Sequence, residues 1–188
     1  MKHLIIYTHF NPNSFTKAVC KEITSVLEQR NQEVKTIDLY ADEYNPVLQF
    51  SDVEFAYMGG DAPEDTAKYQ ELMTWADHLI FVFPLWWYQM PAVLKGFLDR
   101  TLTNGFAFKF TENDTIKLLS DKKTTVFINA GSSEKLLEEK GLDVGIDNMI
   151  KGIFGYCGMQ TEVTVFKEVL GVTQEVRENY LKEIKTII

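Results

Sequence analysis

The sequence predicts an α/β domain in which a parallel β-sheet carries helices on both faces. Residues 79–83 form a continuous apolar run, and runs with almost no polar alternation are typical of strands buried on both faces of a sheet. Strand-like runs alternate along the chain with segments of helical periodicity, which is the pattern of a parallel sheet with crossover helices. The 188 residues, 45% of them hydrophobic, suit a single domain spanning residues 1–188.

Both kinds of element can be placed from their periodicity and their breaker residues. The predicted strands lie at residues 4–7, 33–39, 79–83, 124–129 and 162–166. The predicted helices lie at residues 18–30, 64–77, 91–102, 146–154 and 173–188.

The first strand leads through a polar loop at residues 9–16 into the first helix. The amides at a helix N-terminus are unpaired and lie at the positive end of the helix dipole, so a phosphate can bind there. Ser14 and Thr16 add hydroxyl groups to this end of the helix. The same loop is equally consistent with an ordinary N-cap at Ser14 and a loop histidine at His9.

The second strand alternates apolar and polar residues and is followed by a long irregular segment. Residues 48–65 are predicted to be mostly loop, because Gly59, Gly60 and Pro63 interrupt regular structure. A segment of this length on the binding face is either a mobile lid or a compact surface loop, and the sequence favours neither. The next helix carries its apolar residues on one face.

An aromatic turn follows the third strand. Pro84 ends the strand because it lacks a backbone donor, and Pro91 suits the first turn of the next helix, which Gly105 is expected to end. Between the two prolines stand Leu85, Trp86, Trp87 and Tyr88. Ligands of open parallel sheets bind outside the carboxyl ends of the strands, so this turn is favoured as the wall of a site for a flat, polar-edged heterocycle. The alternative is that the aromatics close the end of the core.

The C-terminal half contains a second candidate loop. Residues 111–123 are polar and rich in turn residues, and the fourth strand then ends in Asn129, Ala130 and Gly131. Gly131 allows a ligand edge to approach the backbone closely, although an ordinary turn would explain it equally well. A helix, a strand and a closing helix that begins near Thr173 complete the domain.

Composition excludes several classes of function. The net charge of −8 leaves no basic surface for nucleic acid, and no apolar run is long enough to span a membrane. The two cysteines, Cys20 and Cys157, and the three scattered histidines show no metal-ligand spacing. We therefore expect a cytoplasmic protein with reduced cysteines, with no metal site and no nucleic-acid partner.

The central stretch resembles the flavodoxin-like NAD(P)H:quinone oxidoreductases. The residues that carry the resemblance read FPLWWYQMPAVLKGFLDR and then GFAFKF, and His9 with Ser14 and Phe15, the Asp38–Tyr40 segment and the Cys157–Gly158 turn add separate matches. The resemblance covers nearly the whole chain. It implies a flavodoxin-like doubly wound, five-stranded parallel sheet of order 2-1-3-4-5, with flavin bound between the loops that follow strands 1 and 3.

The resemblance also implies the cofactor site and the reaction. A hydride would pass from NAD(P)H to the flavin and then to a quinone or similar acceptor, with the flavin carrying the chemistry. FMN is favoured over FAD because the chain lacks the C-terminal extension of the large FAD-binding members. The expected cofactor-binding residues are His9, Ser14, Phe15, Thr16, Pro84, Leu85, Trp86, Trp87, Tyr88, Asn129 and Gly131.

No catalytic side chain is assigned, because the Tyr and His that carry charge in the larger family members have no counterpart in residues 134–143. The substrate pocket is expected to comprise Trp87, Tyr88, Phe108 and Phe110. The alternating aromatics at residues 106–110 would leave an apolar patch on a monomer, so a homodimer is expected in which the partner chain completes the pocket. Phe108 and Phe110 would otherwise fill the core of their own chain.

Two other functions are compatible with the sequence. The acidic charge would also suit a flavodoxin-type electron carrier, which needs no deep substrate pocket. The resemblance extends to ancillary reductases of potassium efflux systems, so the chain could instead be a regulatory subunit of such a transporter.

Overall fold

The computed structural model describes residues 1–188 and contains seven strands and seven α-helices. The strands are β1 (Lys2–Tyr7), β2 (Glu33–Asp38), β3 (His78–Pro84), β4 (Phe108–Phe110), β5 (Thr115–Lys117), β6 (Lys123–Asn129) and β7 (Gln160–Phe166). The helices are α1 (Phe15–Gln29), α2 (Phe50–Val53), α3 (Glu64–Trp75), α4 (Ala92–Thr101), α5 (Glu134–Glu139), α6 (Leu142–Phe154) and α7 (Gln174–Ile187), and a π-helical turn spans Glu54–Met58.

Five of the strands form a parallel sheet in the order β2-β1-β3-β6-β7. Counted within this sheet, the order is 2-1-3-4-5, which confirms the predicted five-stranded parallel sheet. The short strands β4 and β5 lie outside it and pair with each other antiparallel. All five predicted strands are present, each within three residues of its expected bounds.

The sheet separates two hydrophobic layers. The alternating side chains of β3 show this, because Phe81 and Phe83 pack in one layer while Ile80 and Val82 pack in the other. The larger layer contains residues of α3, α4 and α6, and the smaller layer contains residues of α1 and α7. Every residue of β3 is buried, as its unbroken apolar run predicts for a central strand covered on both faces. None of the helices combines the length and the hydropathy needed to cross a membrane.

The segment expected to be a loop at residues 48–65 contains α2 and the π-helical turn, so this expectation was wrong for about half of the segment. Arg100 of α4 fixes the segment to the domain. Its Nε lies 3.1 and 3.0 Å from the two carboxylate oxygens of Asp52, and its Nη1 lies 2.6 Å from Asp65 Oδ2. Arg100 and Asp52 are both almost fully buried, which makes this a buried ion-pair cluster rather than a surface contact.

Two further segments differ from expectation. Helix α4 ends at Thr101, and Gly105, with a φ of 88°, belongs to the turn before β4 instead of the helix end. The polar segment at residues 111–123 contains strand β5, which pairs with the aromatic strand β4. A strand of three residues has too few side chains to show a periodicity, and its pairing depends on a partner strand that a local pattern does not reveal.

Two buried histidines lie at the edge of the sheet opposite the strands' carboxyl ends. His3 Nδ1 and His78 Nδ1 are 3.1 Å apart, and His78 Nε2 is 2.9 Å from Thr125 Oγ1. Burial lowers the pKa of both histidines, that of His78 to about 3. Both are therefore neutral at physiological pH and serve as hydrogen-bonded core residues.

Candidate functional site

A cavity of about 570 Å³ opens at the carboxyl ends of β1, β3 and β6. The loop between β1 and α1 forms one side of it, the turn between β3 and α4 a second, and the segments after β6 and β7 a third. The structure brings all eleven residues expected to bind the cofactor into the lining of this cavity. The parallel sheet explains the convergence, because the carboxyl ends of neighbouring parallel strands lie along one edge.

The first side of the cavity is the N-terminus of α1. Ser14 is the N-cap, and its Oγ accepts a hydrogen bond of 3.1 Å from the amide of Lys17. An N-cap hydroxyl that accepts one hydrogen bond still carries a proton to donate, so the capping function and ligand binding are compatible. Thr16 is 2% exposed and also lines the cavity.

Lys17, in the first turn of α1, does not line the cavity, and its charge is paired with that of Asp38. Its Nζ lies 3.0 Å from Asp38 Oδ2, and it lies over the ring of Tyr7 at 4.3 Å from the centroid. A cation in the first turn of a helix opposes the helix dipole, and the pairing with Asp38 offsets this effect without any bound anion.

The second side is a tight turn formed by Trp86, Trp87, Tyr88 and Gln89. The amide and carbonyl of Trp86 exchange two hydrogen bonds of 3.0 Å with those of Gln89. Trp87 and Tyr88 have φ values of 51° and 59°, so two consecutive large residues adopt the left-handed conformation of a type I′ turn. This conformation costs on the order of 1 kcal/mol or more for each non-glycine residue. It leaves Trp87 94% exposed at the mouth of the cavity.

The third side contains Asn129, the last residue of β6. Asn129 is 3% exposed, and neither its side-chain oxygen nor its side-chain nitrogen has a hydrogen-bond partner in the protein. Its main-chain carbonyl is already bonded, since it accepts from the amide of Leu85 at 2.9 Å. A buried carboxamide with both functions free at a cavity wall is suited to a ligand that offers one donor and one acceptor along its edge.

Arg177 of α7 supplies the positive charge of the cavity lining. Its Nη2 donates to the carbonyl of Val169 at 2.7 Å, while its Nε is buried without a partner. No other lysine or arginine lines the cavity. The sequence reading missed Arg177 because it lies on the closing helix, whose distance from the first loop along the chain is nearly the length of the domain.

The histidine of the first loop has a defined tautomer. The amide of Asn11 donates to His9 Nδ1 at 2.9 Å, so the proton of the neutral ring is on Nε2. Burial lowers the pKa of His9, which keeps the ring neutral at physiological pH. The ring of Phe10 stacks on it at 4.9 Å, and the ring of Trp86 meets it edge-on at 5.8 Å.

Sequence reasoning missed six residues of the cavity lining. They are Asn11, Asn13, Ser132, Val169, Leu170 and Arg177. The two asparagines lie inside the predicted loop at residues 9–16, and Ser132 follows the predicted Gly131, so counting every polar residue of these loops would have found them. The other three follow the last strand of the sheet. Because ligands of parallel sheets bind at the carboxyl ends of the strands, the position after that strand was the signal that could have identified them.

The two phenylalanines expected in a substrate pocket do not line this cavity. Phe108 is 8% exposed and packs within the core of its own chain, with the rings of Phe110 and Tyr156 each 5.2 Å away. Phe110 is 51% exposed on the outside of the short sheet. Phe108 is therefore a core residue of this chain, whereas Phe110 is free to contact another molecule.

Comparisons with known proteins agree with the fold. The protein family described as having a flavodoxin-like fold matches residues 1–188. An uncharacterized NAD(P)H oxidoreductase of Haemophilus influenzae is 34% identical over 181 residues, which cover 95% of this chain and 89% of that protein.

Solved structures give the same result. An NAD(P)H:quinone oxidoreductase from Methanothermobacter marburgensis superposes with a TM-score of 0.88 at 26% identity, covering 99% of this chain and 94% of the other. An FMN-dependent NADH-azoreductase from Bacillus anthracis, solved in complex with FMN, superposes with a TM-score of 0.81 over 99% of this chain and 96% of that one. The two chains are 19% identical, and the superposition shows a shared fold alone.

Proposed function

Because the chain belongs to the family with the flavodoxin-like fold, in which its relatives are NAD(P)H oxidoreductases, we propose that it is a flavin-dependent NAD(P)H dehydrogenase that reduces quinones or related acceptors. The observation that carries the proposal is the cavity at the sheet's carboxyl edge, which unites aromatic, amide, hydroxyl and cationic groups from segments far apart in the chain.

The residues of the cavity fit a flavin. A flavin joins a flat ring with polar edges to a chain that ends in an anionic phosphate, and each part has a counterpart in the lining. Ser14, Thr16 and the amides that begin α1 would hold the phosphate. The turn from Pro84 to Tyr88 would form the wall along the ring. The free carboxamide of Asn129, with the open backbone at Gly131, would meet the polar edge of the ring.

The bound flavin would supply the hydride-transfer chemistry, and the chain would supply the environment. The buried Pro84 and Val169, together with the half-buried Leu85, Trp86 and Tyr88, would limit the access of water to the reacting face. His9 remains neutral and has its Nε2 proton available for donation, since Nδ1 accepts from Asn11. No side chain of the cavity is assigned as an acid or base.

Within this proposal the flavin is FMN, and NAD(P)H is the co-substrate. The FMN-bound azoreductase of the same fold supports this choice. A single helix N-terminus with hydroxyl groups, at α1, also suits one terminal phosphate. Flavin released from the purified protein by heat and identified by mass tests the assignment directly, since FMN and FAD differ by an adenylate group. Recovery mainly of FAD would overturn it.

The phosphate assignment has its own test. Replacing Ser14 and Thr16 together by Ala should weaken flavin binding by about 1 kcal/mol for each lost hydrogen bond, and by more where the bond is charge-assisted. The single change Thr24→Ala is a matched control, because Thr24 lies further along α1 and bonds only to the carbonyl of Cys20. Equal flavin affinity in the double variant and the control would contradict the assignment.

Turnover separates the enzyme from an electron carrier. Steady-state oxidation of NAD(P)H that depends on an added water-soluble quinone is expected of a quinone reductase. A carrier would bind flavin yet show no such turnover. Loss of turnover with retained flavin in Trp87→Ala would connect the activity to this cavity.

We also propose a cytoplasmic homodimer in which a second chain extends the pocket. Three exposed apolar side chains support it: Trp87 at the cavity mouth, and Phe110 and Ile116 on the short sheet, exposed by 94%, 51% and 49%. Two buried cysteines that remain free suit a reducing compartment.

Sedimentation should report a dimer at micromolar concentration. Phe110→Ala should weaken the dimer and slow quinone reduction while preserving the fold. Phe108→Ala, at the neighbouring buried position, should lower stability by about 3–5 kcal/mol instead. A monomeric wild-type protein with full activity would refute the dimer.

A further inference from the structure

A second groove lies between α5, α6 and the outer strand β7, and its lining shares no residue with the cavity of the proposed flavin site. It has a volume of about 350 Å³. Its floor is apolar and is made by Leu137, Ile146, Val163 and Val165, of which Leu137 and Ile146 are almost fully buried. Val163 is 38% exposed, so the floor continues to the open side of the strand.

Strand β7 is the last strand of the sheet, and one of its edges has no partner strand. The carbonyl of Phe166 accepts from the amide of Ala130 at 2.8 Å, so Phe166 directs its main-chain groups toward β6. Because alternate residues of a strand direct these groups to opposite sides, Thr161, Val163 and Val165 present their N–H and C=O groups away from the sheet. The open edge therefore adjoins the apolar floor of the groove. An edge of this kind can accept another strand.

The rim of the groove is acidic. It carries Glu134, Glu138, Asp143 and Asp147 and a single cation, Lys167. Lys167 is already paired with Glu134, and Asp147 is paired with Lys151. Glu138 and Asp143, which are exposed, have no cationic partner.

We propose that this groove and the open edge of β7 together form a docking site for an extended segment of a partner protein that carries both apolar and basic residues on one face of its strand. The segment adds a strand beside β7 through the outward groups of Thr161, Val163 and Val165. Its apolar side chains cover the groove floor, and its basic side chains pair with Glu138 and Asp143.

The charges decide between the possible occupants. A second copy of this chain carries the same net charge of −8 and presents the same acidic rim, so like charges oppose self-association here. A small cation alone would leave the apolar floor uncovered. A basic, apolar strand satisfies the edge, the floor and the rim together.

The test uses a labelled peptide, acetyl-KTVTKTVTK-amide, whose lysines and valines share one face of a strand. Fluorescence anisotropy should show saturable binding to the full-length protein. Binding should weaken as salt is added, because exposed ion pairs are screened. The peptide acetyl-ETVTETVTE-amide should not bind.

Two variants with equal net charge separate the groove from general electrostatics. Glu138→Gln with Asp143→Asn should weaken binding about five- to tenfold, as two exposed ion pairs are lost. Glu175→Gln with Glu178→Gln on α7 should leave binding unchanged. Thermal unfolding and NAD(P)H turnover of both variants should match the wild type, because neither pair lines the cavity of the flavin site.

Hydrogen exchange locates the peptide. Bound peptide should slow exchange at the amides of Thr161, Val163 and Val165. Equal weakening in both charge variants, or binding without protection of these amides, would overturn the proposal. Tight binding of spermine that displaces the peptide would also overturn it and would favour a small polycation as the occupant.

Discussion

Replacing Asn129 by Leu should change two properties in opposite directions. Asn129 is 3% exposed, and neither polar atom of its carboxamide has a hydrogen-bond partner in the protein. Leu has a similar volume and no polar atoms. The variant without flavin should therefore be more stable than the wild type, whereas its affinity for flavin should be lower.

The magnitudes follow from the two unpaired atoms. An unsatisfied buried polar group costs roughly 1–3 kcal/mol, so its removal should raise the free energy of unfolding of the flavin-free protein by about that amount. For a chain of this size, each kcal/mol corresponds to a rise in Tm of about 2–4 °C. The loss of two hydrogen bonds to the ring edge, about 1 kcal/mol each, should raise the flavin Kd by roughly 10- to 100-fold.

The assay pairs thermal unfolding of flavin-free protein with titration of flavin fluorescence. Thr124→Val is the matched control, because Thr124 lies on the same strand and its hydroxyl is also buried without a partner. It should raise the Tm and leave the flavin Kd unchanged, since Thr124 does not line the cavity. A flavin Kd of Asn129→Leu equal to that of the wild type would refute the contact with the ring. A lower Tm would show that the carboxamide is satisfied in the flavin-free protein.

Three other changes test the packing of the domain outside the cavity. Burial lowers the pKa of His78 to about 3, so the unfolded chain binds a proton at this histidine at a higher pH than the folded chain does. The contribution of the neutral histidine to the free energy of unfolding is fully present above about pH 6.5. It should fall by about 1.4 kcal/mol per pH unit as the pH drops toward 3. Denaturant titrations at pH 6.5 and 5 should show this slope in the wild type and a smaller one in His78→Leu. Arg100→Met should destabilise the protein by about 3–5 kcal/mol in urea titrations, because it leaves the carboxylate of Asp52 buried and unpaired. Adding Asp52→Asn to this variant should restore part of the lost stability. Additive effects of the two substitutions would contradict the pairing. Gly96→Ala should lower the free energy of unfolding by about 1–3 kcal/mol in the same assay, since the added Cβ would lie 2.1 Å from the carbonyl oxygen of Pro46. Wild-type stability of this variant would show that the chain around Pro46 can move aside.

The aromatic turn shows why local patterns identify a site better than they describe it. The two prolines and three aromatics of residues 84–91 predicted a ligand wall after the third strand, and Pro84 and the three aromatics do line the cavity. The pattern gave no sign that Trp87 and Tyr88 adopt left-handed conformations. Large side chains rarely adopt that conformation, so a preference of the sequence for it cannot be read locally, and the closing hydrogen bonds between Trp86 and Gln89 stabilise it.

Phe108 and Phe110 show that a local pattern does not predict which side chains of a short strand are buried. Their alternation predicted an apolar patch that includes both rings, yet the two rings have different surroundings, one in the core and one on the surface. Strand alternation usually sends residues two apart to the same face, but the short β4–β5 pair packs only partly against the domain. Which of the two is covered depends on α6 and the Tyr156 turn, which lie far along the chain.

The sequence by itself determined the layered α/β architecture, because unbroken apolar strands and periodic helices have one efficient way to bury their surfaces. It also determined the candidate site up to the ends of β1, β3 and β6, because parallel strands gather their carboxyl ends at one edge. Only the tertiary structure decided that Arg177 reaches the same cavity, that Arg100 fixes the segment around Asp52, and that Asn129 has no partner within the protein. These facts concern pairs of groups separated by tens to more than a hundred residues, and their contacts arise from packing that no local periodicity encodes.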